Sequence, residues 1–150
     1  MTRIFSLRIL LFTVLFVGLK SYALAQTDKL EGYWYNEEKS AKIHIYKAKD
    51  GHFYGKIAWL AIPLKDGKPK VDDKNPDKAR QNDPLIGLLI LQDFSADGDN
   101  SYSGGTIYDP KNGKTYSCKI KYSPTVLDVR GYVGISLIGR TTKWTKAEQP

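Results

Sequence analysis

Short runs of apolar and aromatic residues, separated by turn-forming residues, cover the chain from Gly32 onward. None of these runs keeps the 3.6-residue period of an amphipathic helix, and several alternate apolar with polar side chains, as strands do. Asp50-Gly51 and Asn112-Gly113 supply residue pairs that favour tight hairpin turns. The pattern predicts eight strands, at Gly32–Tyr35, Ala41–Ala48, Phe53–Ile62, Ile86–Phe94, Ser101–Tyr108, Lys114–Tyr122, Val126–Tyr132 and Ile138–Lys146.

Consecutive strands joined by short turns predict an all-β fold. We expect a small antiparallel up-and-down barrel of about eight strands, because closure removes the unpaired edges of the sheet. Such a barrel is either filled by side chains or leaves room for one small ligand. In the seventh predicted strand, Leu127 and Val129 lie on one face, and Asp128, Arg130 and Tyr132 lie on the other. The alternation does not say which face points inward.

The first 25 residues have the three regions of an export signal. Arg3 and Arg8 flank the start of an apolar run of about eleven residues, and Ala23-Leu24-Ala25 forms a small-x-small cleavage site. A retained membrane anchor is the alternative, but the run is shorter than the roughly 20 residues that span a bilayer. We therefore expect a signal peptide at residues 1–25, whose removal leaves residues 26–150 as a single β-barrel domain. This domain would be periplasmic or secreted, without stable insertion in a membrane.

The processed chain is expected to be moderately basic. The full sequence has 23 Lys and Arg against 16 Asp and Glu, a net charge of +7. Loss of the three cations Arg3, Arg8 and Lys20 lowers this to about +4. A small basic excess supports solubility and favours anionic partners such as lipid headgroups or acidic glycans. No basic helix or nucleic-acid-binding module is recognisable, so nucleic acid is not an expected partner.

Residues that carry enzyme chemistry are few. Cys118, the one cysteine, lies in phase with apolar neighbours in its strand and is expected to be a small buried side chain. His44 and His52 lack metal-ligand spacing, and no nucleophile, base and orienting group are grouped together. We therefore expect no catalytic residue, no metal site and no cofactor. Asp109 and Asp128 leave an envelope hydrolase as a third alternative.

The stretch DDKNPDKARQNDPLIG, residues 72–87, overlaps the one long connection, Pro63–Pro84. The spacing Asp73-x-Asn75-x-Asp77 matches the first three ligand positions of a calcium-binding EF-hand loop, but the required Gly and Glu at positions six and twelve are absent. Two prolines and a capping residue argue against a flexible linker. We expect an ordered loop across one end of the barrel, which acts either as a flap over a binding site or as a structural plug.

Three segments carry a resemblance to a known family: DDKNPDKARQNDPLIGLLIL, YSGGTIYDPKNGKTYSCKI and LDVRGYVGISLIGRTTKW. Together they resemble an uncharacterised family of exported bacterial proteins, the domain of unknown function 2147. The resemblance extends from Gly32 to Trp144. It implies export and a small lipocalin-like β-barrel, and it supplies no catalytic residues.

A second resemblance is to the lipocalins, which have a Gly-x-Trp motif in the first strand and an Arg from the last strand that closes the barrel. Gly32-Tyr33-Trp34 and Arg140 stand at the similar positions of this chain. The resemblance implies structural closure by Gly32, Trp34 and Arg140. A guanidinium over an indole face would stabilise the fold by about 0.5–2 kcal/mol.

The aromatic content gives the best functional indication, since three Trp and ten Tyr side chains can fill a barrel or line a pocket. We expect the barrel to bind a small apolar or amphipathic ligand, through a cavity that opens at the Pro63–Pro84 loop. A filled barrel that acts as a structural or protein-interaction module of the envelope is the alternative. The expected ligand-binding residues are Trp34, Arg80, Tyr116, Arg130 and Tyr132, with both arginines at the polar end of the ligand.

Overall fold

A computed structural model describes residues 27–150 of the chain. The expected signal peptide and Gln26 lie outside the described residues. The strands are β1 (Gly32–Tyr35), β2 (Ala41–Lys47), β3 (Phe53–Leu60), β4 (Leu64–Lys65), β5 (Lys68–Pro69), β6 (Leu89–Ala96), β7 (Ser101–Asp109), β8 (Lys114–Tyr122), β9 (Val126–Tyr132) and β10 (Gly139–Ala147). Within residues 27–150, no helix has the length and apolar character needed to cross a membrane.

Eight of the strands close into an antiparallel barrel in the order β1-β10-β9-β8-β7-β6-β3-β2, and β2 pairs back to β1. The last strand closes onto the first through pairs such as Tyr35↔Thr145. Strands β4 and β5 form a separate hairpin within the connection between β3 and β6. The predicted all-β up-and-down barrel is confirmed, because every pairing is antiparallel and the sheet has no free edge.

The strand bounds differ most from the prediction around the long connection. Strand β3 ends at Leu60 rather than Ile62, and β6 begins at Leu89 rather than Ile86. The residues between them are held by contacts of their own, since the Leu85 amide donates to the Lys70 carbonyl and the Gly87 amide donates to the Ile57 carbonyl. The first bond lies within the connection, and the second joins the connection to β3 just before β6 begins.

Burial shows which strand faces point inward. In β2, Ile43 and Ile45 are buried, and the side chains between them are partly exposed on the outer face. In β9, Leu127 and Val129 are buried in the same way. Cys118 on β8 is fully buried, and this burial raises the pKa of its thiol to about 12. The expectation of a small buried side chain at this position is confirmed.

One end of the barrel is closed by a plug of large side chains. The segment before β1 folds under this end, where Leu30 and Trp34 are fully buried and the Trp34 indole donates to the Leu30 carbonyl at 3.0 Å. Phe53 packs edge-on against Tyr102 with ring centroids 5.1 Å apart. The Tyr102 hydroxyl donates to the Asp28 carboxylate at 2.6 Å. These side chains fill the inside of the barrel at the closed end.

Candidate functional site

The opposite end of the barrel is open. Strands β1, β3, β7 and β9 all run toward it, so four loops surround the mouth: residues 36–40, 61–88, 110–113 and 133–138. A cavity of about 870 Å³ extends from this mouth into the barrel and is lined by residues from all four loops. The predicted cavity, open on the side of the Pro63–Pro84 loop, is present.

The walls of the cavity are apolar. They consist of inward-facing side chains from strands on all sides of the barrel, together with one residue of the long loop. These wall residues are Ala41, Ile43, Ile57, Leu60, Leu85, Ile90, Ile107, Val129 and Trp144. Aliphatic and aromatic surface of this kind offers no hydrogen bonds, so it favours a ligand whose buried part is hydrocarbon-like.

The rim of the cavity is polar and carries charges of both signs. Two ion pairs stand there: Lys111 Nζ lies 2.6 Å from Glu38 Oε2, and Arg140 Nη2 lies 3.0 Å from Glu37 Oε2. The hydrogen bond and charge of Lys111 lower the pKa of the Glu38 carboxyl below its ordinary value. Both pairs are exposed, so they contribute little to stability. The rim offers donors and acceptors to a ligand's polar end without a strong field of one sign.

The long loop over one side of the mouth is ordered around a buried carboxylate. Asp72 is fully buried and accepts hydrogen bonds from the Tyr108 hydroxyl at 2.8 Å and from the Asn75 side-chain amide at 2.7 Å. Burial and the hydrogen bond to Asp72 together raise the pKa of Tyr108 to about 12. Tyr108 belongs to β7 and lines the cavity, so this contact fastens the loop to the cavity wall.

The remainder of the loop has local supports. A bridge between Val71 and Pro84 closes its base. Asp77 accepts from the Ala79 amide at 3.0 Å and caps a single turn of 3-10 helix. The expectation of an ordered loop is confirmed. In residues 27–150, no three His, Cys, Asp or Glu side chains are grouped so that they could hold a metal ion.

The turn between β7 and β8 packs directly against this loop. A Cβ atom on Gly113 would lie 1.9 Å from the Lys74 carbonyl oxygen, and Gly113 has a φ of +70°. Only glycine meets both conditions without strain. The close approach therefore fixes the loop against the barrel rim.

The structure does not bring the two predicted ligand-binding arginines together. Arg80 lies in the 3-10 turn, where its Nε is 3.0 Å from Asp83 Oδ2, and it does not line the cavity. Arg130 lies on the outer face of β9, opposite the buried face of Leu127 and Val129. Its guanidinium donates to the carbonyls of Ser136 and Leu137 at 2.7 and 3.3 Å and to Thr141 Oγ1 at 3.1 Å. Neither arginine lines the cavity, so the geometry gives no support to the prediction that Arg80 and Arg130 meet the polar end of a ligand.

The predicted aromatic residues divide between the cavity and the closed end. Tyr116 and Tyr132 both line the cavity, and the Tyr116 hydroxyl accepts from the Asn112 side chain at 3.1 Å. Trp34 does not line it, because this indole belongs to the plug beneath. The wall residues Ile43, Ile57 and Ile107 were not predicted as ligand-binding residues. Of the three, only Ile43 has polar residues on both sides, Lys42 and His44, which mark the inward face of its strand.

The structure does not place Arg140 over Trp34, where the predicted closure would have it. The cation over the Trp34 ring is Lys146, whose Nζ lies 4.3 Å from the ring centroid. The strand register explains why Lys146 rather than Arg140 lies there, since Trp34 pairs directly with Lys146 across the β1–β10 ladder. Arg140 is six residues away, about 20 Å along an extended strand, and lies at the open end with Glu37. Gly32 does contribute to the closure, because a Cβ there would lie 2.9 Å from Lys146 Nζ.

Comparisons with known proteins agree with this architecture. The structure is similar to that of protein HP1028 from the human pathogen Helicobacter pylori, which is described as belonging to the lipocalin family. The TM-score is 0.71 at 25% sequence identity, and the match covers 79% of this chain and 83% of that one. No curated protein sequence matches the chain.

The sequence itself matches one family model. The match covers residues 32–146, which include every strand of the barrel except the last residue of β10. The family is described as "Uncharacterized protein conserved in bacteria (DUF2147)". This chain belongs to that family of bacterial proteins, and its fold is a lipocalin-like barrel.

Proposed function

We propose that this protein binds a small apolar or amphipathic molecule inside the barrel, in the bacterial cell envelope. The observation that carries the proposal is the cavity of about 870 Å³ with apolar walls and a polar rim. Its volume falls within the range of roughly 300–1,000 Å³ that is typical of small-molecule sites. The filled-barrel alternative expects no such cavity, so it has less support.

The wall chemistry sets the driving force for binding. Transfer of roughly 300 Å² of apolar ligand surface into the cavity would contribute about 7 kcal/mol before the costs of association. Polar atoms at one end of the ligand would meet Lys70, Lys111, Arg140 or the tyrosines Tyr116 and Tyr132 at the rim. An apolar tail with a neutral or singly charged head fits both parts of the site.

Uptake of a fluorescent fatty-acid probe, compared between cavity-filling and surface variants, tests this proposal. Ile107 lines the cavity, whereas Thr106, its neighbour in β7, lies on the opposite face. We expect Ile107→Trp to reduce probe binding at least tenfold and Thr106→Trp to leave it unchanged. Gly131→Leu is a second filling variant, because a Cβ there meets nothing closer than Ile107 Cγ2 at 3.4 Å.

Native mass spectrometry of the protein purified from its own cells tests the same site without a chosen probe. We expect a discrete added mass that is lost on denaturation and absent from Gly131→Leu. A bare mass, together with probe binding that is equal in the native, Ile107→Trp and Gly131→Leu proteins, would overturn the proposal.

The envelope location rests on the first 25 residues. Their basic start, apolar run and Ala23-Leu24-Ala25 site support export and cleavage before Gln26. Subcellular fractionation with N-terminal sequencing tests this part separately. We expect the protein outside the cytoplasm with Gln26 as its first residue, and an intact N-terminus in the cytoplasmic fraction would contradict it.

A further inference from the structure

The open end of the barrel carries an unusual concentration of exposed apolar side chains. In residues 27–150, the large hydrophobic side chains with high exposure all lie in the loops at this end, and none lies at the closed end. They are Ile62, Leu64, Ile86, Val133, Ile135, Leu137 and Ile138. Scattered exposed apolar residues are ordinary, but a group of this size on one end marks an interaction surface.

Four of these side chains belong to one short loop between β9 and β10, Val133–Ile138, here called the apolar loop. Leu137 is 83% exposed and Ile135 is 61% exposed. The loop is held by its backbone rather than by its side chains. The Ile138 amide donates to the Ile135 carbonyl at 3.1 Å, and the Arg130 guanidinium binds the Ser136 and Leu137 carbonyls. The backbone is thus fastened while its apolar side chains face solvent.

The β4–β5 hairpin forms a second exposed element at the mouth, across from the apolar loop. Its residues from Ile62 to Pro69 are all exposed, with Ile62 at 66% and Leu64 at 50%. The hairpin adds Lys65 and Lys68 beside these apolar side chains. Ile62 on this element and Val133 and Ile138 on the apolar loop also line the cavity. The two elements therefore flank the entrance.

Cations lie beside both elements, and Asp66 is the one carboxylate within the β4–β5 hairpin. Lys65, Lys68 and Lys70 lie on or next to the hairpin, and Lys119 and Arg130 lie beside the apolar loop. Among residues 27–150, none of these five side chains forms an ion pair with a carboxylate. The apolar loop itself is uncharged. Apolar side chains at a tip with cations beside them match the interface of an anionic bilayer, where apolar groups enter the acyl boundary and cations meet the headgroups.

We propose that the open end of this barrel docks onto the surface of an anionic lipid bilayer, with the apolar loop and the β4–β5 hairpin inserted at the headgroup level. Docking in this orientation would face the cavity entrance toward the lipid. The inference does not depend on what the cavity binds, because the exposed loops alone make the contact.

Vesicle co-sedimentation tests the proposal. The protein used in this assay begins at Gln26. All strands and core residues lie after this position, and the apolar leader would itself bind lipid. The probes are vesicles of phosphatidylcholine with about one-third phosphatidylglycerol and vesicles of phosphatidylcholine alone. We expect binding to the first that weakens at high salt, and at least tenfold weaker binding to the second.

Two double variants locate the contact, and a third serves as the control. Ile135→Ser with Leu137→Ser should reduce vesicle binding at least tenfold without a change in melting temperature, since both side chains are exposed. Lys65→Gln with Lys68→Gln should reduce vesicle binding about 30-fold. Each lysine near an anionic surface contributes about 1 kcal/mol, and the loss of two such contributions corresponds to this factor. Lys49→Gln with Lys121→Gln removes the same charge from exposed positions at the closed end and should leave binding unchanged.

Three results would overturn the proposal. The first is no binding to anionic vesicles, and the second is equal binding by the native protein and the Ile135→Ser, Leu137→Ser variant. The third is a stable dimer in sedimentation velocity that this variant abolishes, with no vesicle binding by either protein, because the apolar loop would then join two copies of the chain.

Discussion

The Tyr108–Asp72 hydrogen bond offers the sharpest test of how the long loop is held. Tyr108 is 8% exposed and Asp72 is fully buried, with 2.8 Å between the hydroxyl and the carboxylate. Tyr108→Phe removes one of the two side-chain donors to this carboxylate and leaves the Asn75 amide. A buried hydrogen bond to a charged group contributes about 1.5–3 kcal/mol. We therefore expect the free energy of unfolding to fall by about 2 kcal/mol, which lowers the melting temperature by about 6–8 °C in a domain of this size.

The control is Tyr116→Phe, a second tyrosine at the cavity. Its hydroxyl accepts a hydrogen bond from Asn112 in an exposed position. Loss of this hydroxyl should change the free energy of unfolding by less than about 0.5 kcal/mol. Urea unfolding followed by tryptophan fluorescence measures both variants. Equal effects of the two substitutions would refute the reasoning, because burial of the Asp72 carboxylate would then have no energetic consequence.

The same pair predicts a dependence on pH. The pKa of Tyr108 is raised from 10.0 to about 12 in the folded protein, so its contribution is fully present below pH 10 and declines as pH rises toward 12. The shift corresponds to about 2–3 kcal/mol over the whole range and about 1 kcal/mol by pH 11. The difference in unfolding free energy between the native protein and Tyr108→Phe should therefore shrink between pH 8 and pH 11. Other tyrosines titrate in both proteins and cancel, and a constant difference would contradict the assignment.

Three further predictions test single contacts. Gly113→Ala should lower the melting temperature more than Gly98→Ala. Both glycines have positive φ, but only at Gly113 would the new Cβ lie against backbone, at 1.9 Å from the Lys74 carbonyl oxygen. Equal shifts in thermal unfolding would contradict this contact. Lys146→Met should lower the free energy of unfolding in urea by about 0.5–2 kcal/mol, because it removes the cation over the buried indole. Arg140→Met should lower it by less than about 0.5 kcal/mol, since the Arg140–Glu37 pair is exposed. The reverse order would indicate that Arg140 closes the barrel. Cys118 should react with a thiol reagent at pH 8 only when the protein unfolds, because burial raises its pKa to about 12, and rapid native labelling would show that the strand opens.

The barrel could be predicted because its determinants are local. The Asp50-Gly51 and Asn112-Gly113 turns and the period-2 runs between them fix most strands to within two residues. The inward face of β9 was also present in the sequence. Leu127 and Val129 alternate with Asp128 and Arg130, and a charged side chain inside an apolar barrel would be costly. The outward guanidinium of Arg130 follows from this rule, whereas the expected ligand contact required an inward one.

The closure register could not be predicted in the same way. Arg140 and Lys146 occupy the same face of β10, so alternation alone does not say which of them lies over Trp34. Only the pairing of the last strand with the first separates them, and that pairing joins residues more than a hundred positions apart. The cavity depends on the same long-range information, because its wall combines strands from the whole barrel at one height.

The volume of the cavity also constrains how the protein exists in solution. An empty, dry void of about 870 Å³ would cost on the order of 20 kcal/mol at about 24 cal/mol per Å³. That exceeds the whole net stability of a typical domain, about 5–15 kcal/mol. The open mouth and polar rim resolve the conflict, since they admit water to an apolar chamber. A ligand that replaces this water would bind only the folded barrel, and at 100 times its dissociation constant it would stabilise the fold by about 2.7 kcal/mol. The fold can therefore remain stable with one end incompletely packed, because that end is open to water. A ligand bound in the cavity should be detectable as a rise in melting temperature.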